Sequence, residues 1–182
     1  VDIQDSRATG NGGGILNTGN LTLTRTLLAD NEALENGGGI YNQGSLSATD
    51  STITDCVSHA DGGGILNAET ASLDWHGGRI AGNQAVGSGG GIHSQGPLAS
   101  VILDDVVISR NWADIGGGEA LAATAATIDG TTFDTNYASE GGGLWIQGPV
   151  TVTDSTFTGN GSSDPYSEAI AVMPSGDSVM LS

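Results

Sequence analysis

The stretch Gly37-Gly38-Gly39-Ile40 decides the fold, because close copies of it recur along the chain at nearly constant spacing. The other copies begin at Gly12, Gly62, Gly89, Gly116 and Gly141, and the last two replace the isoleucine by Glu119 and Leu144. Successive first glycines are 25, 25, 27, 27 and 25 residues apart. A degraded seventh copy is Ser167-Glu168-Ala169-Ile170. Repetition at such a period is typical of a solenoid.

Short stretches of alternating apolar and polar residues lie between the glycine triplets, for example Leu21-Thr22-Leu23 and Val150-Thr151-Val152. Glycine and asparagine turn signals separate them, which predicts three short strands in each repeat. Equivalent strands of successive repeats would pair in parallel. The sequence therefore predicts an all-β fold, a right-handed parallel β-helix (β-solenoid) of about seven rungs of 25–27 residues. At about 4.8 Å per rung, the rod would be about 34 Å long.

A second signature in most repeats is an apolar residue followed three positions later by asparagine, as in Ile80 and Asn83. Cys56 takes the place of asparagine in one repeat. Stacked amides hydrogen-bond to the backbone and to one another, as they do in amide ladders. We therefore expect a structural ladder made of Asn31, Asn83, Asn111, Asn136 and Asn160.

Composition restricts the partners of this chain. It carries 21 acidic and 4 basic residues, a net charge of −17, and none of the basic residues is lysine. Such a surface repels nucleic acid and anionic lipid. No stretch approaches the roughly 18 apolar residues of a membrane span, so we expect no membrane insertion. The acidity fits an extracellular or cell-surface location with abundant counterions, or it simply keeps a long sheet soluble.

The two signatures together resemble the repeats of chlamydial-type polymorphic outer membrane proteins and of related secreted surface proteins. The resemblance runs from Ile3 to Asn160 and rests on a glycine triplet followed by Ile or Leu, and on an aromatic or aliphatic residue followed at three by Asn. That family usually has alanine at the third glycine and phenylalanine where this chain mostly has Leu or Ile. The resemblance implies a surface-exposed, right-handed parallel β-helix that often acts in adhesion.

Residues able to perform chemistry are sparse, and we predict no catalytic or cofactor-binding residue. Asp104 and Asp105 are adjacent, so on a strand they would point to opposite faces. The three histidines fall at different places in the repeat, which argues against zinc. Four aspartates near turns could form a weak calcium-binding row, or could simply be turn residues. These calcium candidates are Asp50, Asp105, Asp129 and Asp154.

The residue after each isoleucine would point outward if the isoleucine points inward. This column predicts a partly apolar interaction stripe for a glycan or a cell-surface partner, or else a stripe covered by a neighbouring loop. The stripe consists of Leu16, Tyr41, Leu66, His93 and Trp145. Glu119 stands where most copies have Ile or Leu, either as an inward carboxylate or in a locally shifted rung whose core position is filled by Leu121. We expect the shift.

The segment begins and ends within a rung, since Ile3 matches Phe157 and the residues 179–181 match 150–152. We therefore predict one β-helix domain over 1–182, either a unit or a piece of a longer solenoid. Contacts between subunit ends would involve Val1, Ile3, Val179 and Leu181. The predicted function is a non-catalytic, extracellular structural or adhesive β-helix that stacks head to tail into a filament. The alternative is a polysaccharide-binding or polysaccharide-cleaving protein of the pectin lyase-like kind. Glycosylation sequons begin at Asn20 and Asn160.

Overall fold

The computed structural model describes residues 1–122, 124–163, 169–173 and 178–182. Ser167 and Glu168 of the degraded seventh glycine copy lie outside these ranges. The described residues form 27 strands and no helix. Accordingly, nothing in the described ranges is a helix capable of crossing a membrane.

The strands follow one another in the same order in every rung. Rungs one to four contain β1 (Asp2–Gln4), β2 (Arg7–Ala8), β3 (Ile15–Asn17), β4 (Asn20–Thr24), β5 (Leu27–Ala29), β6 (Glu32–Ala33), β7 (Ile40–Asn42), β8 (Ser45–Thr49), β9 (Thr52–Thr54), β10 (Val57–Ser58), β11 (Ile65–Asn67), β12 (Ser72–His76), β13 (Arg79–Ala81), β14 (Gln84–Ala85), β15 (Ile92–Gln95) and β16 (Ser100–Asp104). The remaining rungs contain β17 (Val107–Ser109), β18 (Glu119–Ala122), β19 (Ala125–Asp129), β20 (Thr132–Asp134), β21 (Tyr137–Ala138), β22 (Leu144–Gln147), β23 (Val150–Thr153), β24 (Thr156–Thr158), β25 (Gly161–Ser162), β26 (Ile170–Val172) and β27 (Val179–Leu181).

Each rung has four sides, and all strand pairing between rungs is parallel. Sheet A has the order β1-β5-β9-β13-β17-β20-β24, sheet C has β3-β7-β11-β15-β18-β22-β26 and sheet D has β4-β8-β12-β16-β19-β23-β27. Sheet B is formed by β2-β6-β10-β14 and by β21-β25, and Trp112 bridges the two through Gln84 and Tyr137. The predicted all-β, parallel β-solenoid of about seven turns is confirmed. The prediction of three strands per rung missed sheet B, whose two-residue strands are too short to show alternation.

The core consists of apolar columns that run from rung to rung. The isoleucines that follow the glycine triplets point inward, and Ile40, Ile65 and Ile92 are fully buried. The apolar residues of the second signature form a parallel column in sheet A. At its end, Phe133 and Phe157 stack with ring centroids 4.6 Å apart and planes 2° from parallel. Stacking of like residues thus builds a core with few aromatic side chains.

Each glycine of a triplet is required for a different reason. Gly37 has a φ of 68°, which residues with a Cβ rarely adopt. A Cβ on Gly38 would lie 2.6 Å from the carbonyl carbon of Val57 in the next rung, and one on Gly39 would lie 2.8 Å from Cγ2 of Ile53. The triplet therefore lets the chain bend closely over the neighbouring rung.

The increase in repeat length from 25 to 27 residues arises in the turns between sheets C and D. These turns hold two residues, 18–19 and 43–44, in the first two rungs, but four, 68–71 and 96–99, in rungs three and four. Gly96 packs against the preceding enlarged turn, since a Cβ there would lie 2.5 Å from Cγ of Glu69. The two insertions thus stack as one ridge at the corner between sheets C and D.

Candidate functional site

The asparagine ladder holds the corner between sheets A and B together. Asn111 Nδ2 donates to Asn136 Oδ1 (2.9 Å) and to the Ile80 carbonyl (3.0 Å), while its Oδ1 accepts from the backbone N–H and Nδ2 of Asn83 (2.9 and 3.0 Å). The same pattern continues to Asn160. Because both ends of every amide are used inside the structure, the ladder has a structural role.

Cys56 interrupts this ladder with a weaker partner. Its sulfur accepts from Asn31 Nδ2 at 3.8 Å, and the residue is fully buried. Burial raises the pKa of the Cys56 thiol to about 11. A thiol with a pKa this high is a poor nucleophile at neutral pH, so Cys56 acts as a packing residue.

A second ladder, which the sequence reasoning missed, lies between sheets C and D. Asn17 Nδ2 donates to Asn42 Oδ1 (2.7 Å), Asn42 donates to Asn67 (2.8 Å), and Asn67 donates to Ser94 Oγ (3.0 Å). The signal was present, because Asn17 and Asn42 each begin a turn that ends in glycine. That pattern was interpreted only as a turn, although its period equals that of the glycine triplets.

The predicted interaction stripe is not a continuous exposed surface. Leu16 is 56% exposed, but Leu66 and His93 are only 1% and 6% exposed, and Tyr41 and Trp145 are half-buried. Equivalent positions in neighbouring rungs thus differ in exposure, and the column offers no continuous apolar surface to a partner.

The four calcium candidates do not form a row. Asp50, Asp105 and Asp154 share one column of left-handed turn residues with φ values of 48°, 54° and 47°. Gly77 and Gly130 occupy the rungs between them. Asp129 lies instead in sheet D, beside Asp104. The described residues contain no cluster of three or more His, Cys, Asp or Glu able to hold a metal ion.

Glu119 points into the core, and the expected shift of its rung is wrong. It pairs in register with Ile92 and Leu144, its exposure is zero, and neither carboxylate oxygen has a hydrogen-bond partner among the described residues. Leu121 is buried too, since it lies two residues further along the same strand. Burial raises the pKa of Glu119 to about 8, so the side chain is mostly protonated at neutral pH.

A charged cluster, here called the sheet D cluster, lies on the outer face of rungs three and four. His76 Nδ1 is 2.9 Å from Asp104 Oδ2, and His76 Nε2 is 2.8 Å from Asp74 Oδ1. The hydrogen bond to Asp104 raises the pKa of His76, and Asp74 adds to the effect. The cluster occupies the same two rungs as the enlarged turns. Insertions in a repeat protein often mark its binding face.

Exposed aromatic residues lie on sheet B rather than along the predicted stripe. Trp112 is 42% exposed and Tyr137 is 45% exposed, and they occupy the same column in neighbouring rungs. The sequence analysis did not single them out, because sheet B itself was not predicted.

The predicted end contacts lie at the rims of the core. Ile3 and Val179 are half-buried and pack against core residues, whereas Val1 and Leu181 are 83% and 57% exposed. At the end of the last rung, a cavity of about 340 Å³ is lined by Val152, Ser155, Phe157, Ile170, Leu181 and Ser182. Apolar core residues are thus accessible at this end of the rod.

Comparisons with protein families, with curated proteins and with solved structures find no match to this chain.

Proposed function

We propose that this chain is a non-catalytic structural and adhesive β-solenoid of the cell exterior, and that its rods stack end to end. The observation that supports this proposal is the match between the columns at the two ends. In a stack that continues the register, Ile3 lies against Phe157, Ile15 against Ile170, and Leu21 against Val179. Each contact pairs apolar residues of one and the same column.

The edges of the sheets support the same proposal. Strand β1 ends the order of sheet A on one side and β24 ends it on the other, so each presents one unpaired edge within the described residues. An unpaired parallel edge is a template for another strand. Contacts of this kind join different surfaces of two copies, so they lengthen a filament without closing it. The net charge of −17 opposes such contacts unless salt screens it.

The test is the mass of the purified protein in solution at low and high salt. We expect sedimentation to show association that grows with protein and salt concentration. The variant Leu181→Glu places a charge at the end and should remain monomeric. Its matched control is Leu98→Glu, which changes a 73% exposed leucine in a side turn and should associate like the wild type. A wild-type chain that stays monomeric under all these conditions would contradict the proposal.

The acidic, lysine-free surface supports the proposed location outside the cell, because abundant counterions there screen the self-repulsion of the chain. The same charge disfavours nucleic acid and anionic lipid as partners.

The sheet D cluster favours one alternative, the cleavage of a polysaccharide. His76, whose pKa Asp104 and Asp74 raise, could serve as the acid toward a glycosidic bond, and one of the two carboxylates as the base. The test is the release of reducing ends from neutral and amino-sugar polymers. Cleavage that Asp104→Asn abolishes and Asp2→Asn leaves unchanged would establish the alternative. No release from any of these polymers would reject it.

A further inference from the structure

The residues in the outer column of sheet B change from mostly polar to aromatic along the rod. Its members are Arg7, Glu32, Val57, Gln84, Trp112, Tyr137 and Gly161. The polar residues lie in the earlier rungs, whereas Trp112 and Tyr137 stand next to each other in rungs five and six. Since neighbouring strands are about 4.8 Å apart, the two aromatic side chains begin one strand spacing from each other.

The last member of the column allows the tyrosine ring to lie along the sheet. A Cβ at Gly161 would be 3.1 Å from Cδ2 and 3.5 Å from Cε2 of Tyr137, so the ring edge leans over the glycine backbone. A side chain at position 161 would push the ring away from this position. The ring nevertheless keeps 45% of the residue accessible.

Polar and apolar groups flank the two rings. Asp114 lies two residues beyond Trp112 and is exposed as Trp112 is, whereas Ala113 between them is buried. Its Oδ1 accepts a hydrogen bond of 2.7 Å from Ser139 Oγ, and no hydrogen bond to its Oδ2 is seen among the described residues. Val86 is 59% exposed and lies two residues beyond Gln84, the neighbour of Trp112 in the preceding rung. We refer to Trp112, Tyr137, Asp114 and Val86 as the sheet B aromatic surface.

We propose that the sheet B aromatic surface binds a chain of amino sugars that carry free ammonium groups. The inference rests on the proposed adhesive function and names its ligand. Aromatic rings offer apolar faces to the C–H faces of pyranose rings, and they attract cations. Asp114 offers a carboxylate oxygen to the ammonium group, a charge-assisted hydrogen bond.

Charge and spacing favour this ligand over other polymers. The net charge of −17 repels acidic glycans. A basic polypeptide would find carboxylates over the whole surface, whereas two aromatic side chains that begin about 4.8 Å apart in neighbouring rungs offer ring faces to successive units of an extended sugar chain.

The experiment is a titration with a fully deacetylated glucosamine oligomer, monitored by calorimetry and by tryptophan fluorescence. Of the three tryptophans, Trp75 is fully buried, Trp145 is half-buried and Trp112 is 42% exposed, so the ligand should chiefly protect Trp112 from a neutral quencher. Trp112→Gln and Tyr137→Gln should each weaken binding roughly tenfold or more. Both variants should fold, because the chain itself has Gln84 in this column. Gln84→Ala is the matched control and should bind like the wild type.

Three outcomes would overturn the inference: no binding, equal binding of the fully N-acetylated oligomer, or equal binding by the Trp112→Gln variant. The inference would also be overturned if polylysine displaced the sugar to the same extent from the wild type and from the Trp112→Gln variant. The Leu181→Glu variant separates the two proposals. If the Leu181→Glu variant binds the sugar and loses this binding when Trp112→Gln is added, the inference is supported whether or not rods stack. Rods that stack without binding the sugar would leave only the stacking proposal standing.

Discussion

Glu119 sets a carboxyl group among side chains of isoleucine and leucine, and this makes the stability of the rod depend on pH. Its pKa is raised from 4.5 to about 8 by burial. Below pH 4.5 both the folded and the unfolded chain hold the proton, so ionisation costs nothing and only the buried carboxyl group without hydrogen-bond partners is unfavourable. As the pH rises toward 8, the unfolded chain loses the proton first, and the free energy of unfolding falls by up to about 5 kcal/mol.

We therefore expect Glu119→Ile to raise the free energy of unfolding least at pH 4.5 and most above pH 8, as measured by denaturant unfolding across this range. Glu119→Gln is the control for the titration, since it keeps the polar group but cannot ionise, and its difference from the Ile variant should not vary with pH. If wild type and Glu119→Ile show the same pH dependence, the carboxyl group does not titrate in the core.

Replacing Cys56 by asparagine would complete the asparagine ladder and so tests how much the ladder contributes to stability. In the other rungs, the amide Nδ2 donates to the carbonyl of an apolar residue in the preceding rung and to the next amide, as Asn83 does with Ile53 and Asn111. Cys56→Asn should supply both donors and raise the free energy of unfolding by about 1–2 kcal/mol. The measurement is the denaturant midpoint under reducing conditions, with Cys56→Ala as control. A lower midpoint for the Asn variant than for the Ala variant would mean that the site lacks room for the amide.

Among the elements, we expect the glycine triplet to tolerate substitution least. Gly38→Ala places a Cβ against the backbone of Val57, which cannot move away without shifting the next rung. We expect a loss of more than about 4 kcal/mol, seen as little or no folded protein by circular dichroism. Gly19→Ala is the matched control, because no atom lies within 4 Å of its added Cβ, and it should melt like the wild type. A folded Gly38→Ala variant of wild-type stability would contradict the close packing described here.

The asparagine ladder is the second element whose contribution can be measured. Asn111→Leu removes two donated and two accepted hydrogen bonds from a site that is 1% exposed. We expect a loss of about 3 kcal/mol in the free energy of unfolding, because the buried partners keep no substitute. Asn20→Leu changes an exposed asparagine of β4 and should cost little. Equal effects of the two variants in thermal melts would argue against the ladder as a source of stability.

The sequence predicts those elements that repeat at one period. The inward isoleucines and the column that contains Asn83 follow from spacing alone, because equal spacing places equal residues in register. Features that depend on the neighbouring rung were not predictable. The burial of Leu66 and His93, for example, does not follow from the alternation within their own strands. Glu119 stays in register because its strand pairs on both sides with strands that keep theirs.

The candidate sites lie where the repeat is least regular, and for that reason periodicity did not find them. His76 joins Asp74 of its own rung to Asp104 of the next, a contact between residues that the sequence separates by 28 positions. Trp112 and Tyr137 become neighbours only through sheet B. The sequence does contain the length change from 25 to 27 residues, which marks the rungs with enlarged turns.

At the scale of the whole molecule, the described residues form a stack of equivalent rungs, with apolar side chains lining a cavity at the last rung and half-buried apolar residues at the first. Apolar burial favours end-to-end contact, whereas the net charge of −17 opposes it. We expect salt to shift this balance toward association, because exposed charges are screened over about 10 Å at 0.1 M ionic strength. Dependence on salt in the opposite direction would indicate that charge pairs, rather than apolar columns, hold the rods together.

The most direct test of the stacking account is electron microscopy of the purified chain in low salt and in high salt. Stacking in register predicts unbranched fibres one rod wide, with a subunit repeat of about 34 Å from seven rungs of about 4.8 Å. The Leu181→Glu variant should show separate short rods. Short rods of the wild type at every salt and protein concentration, or fibres that thicken sideways, would contradict the account.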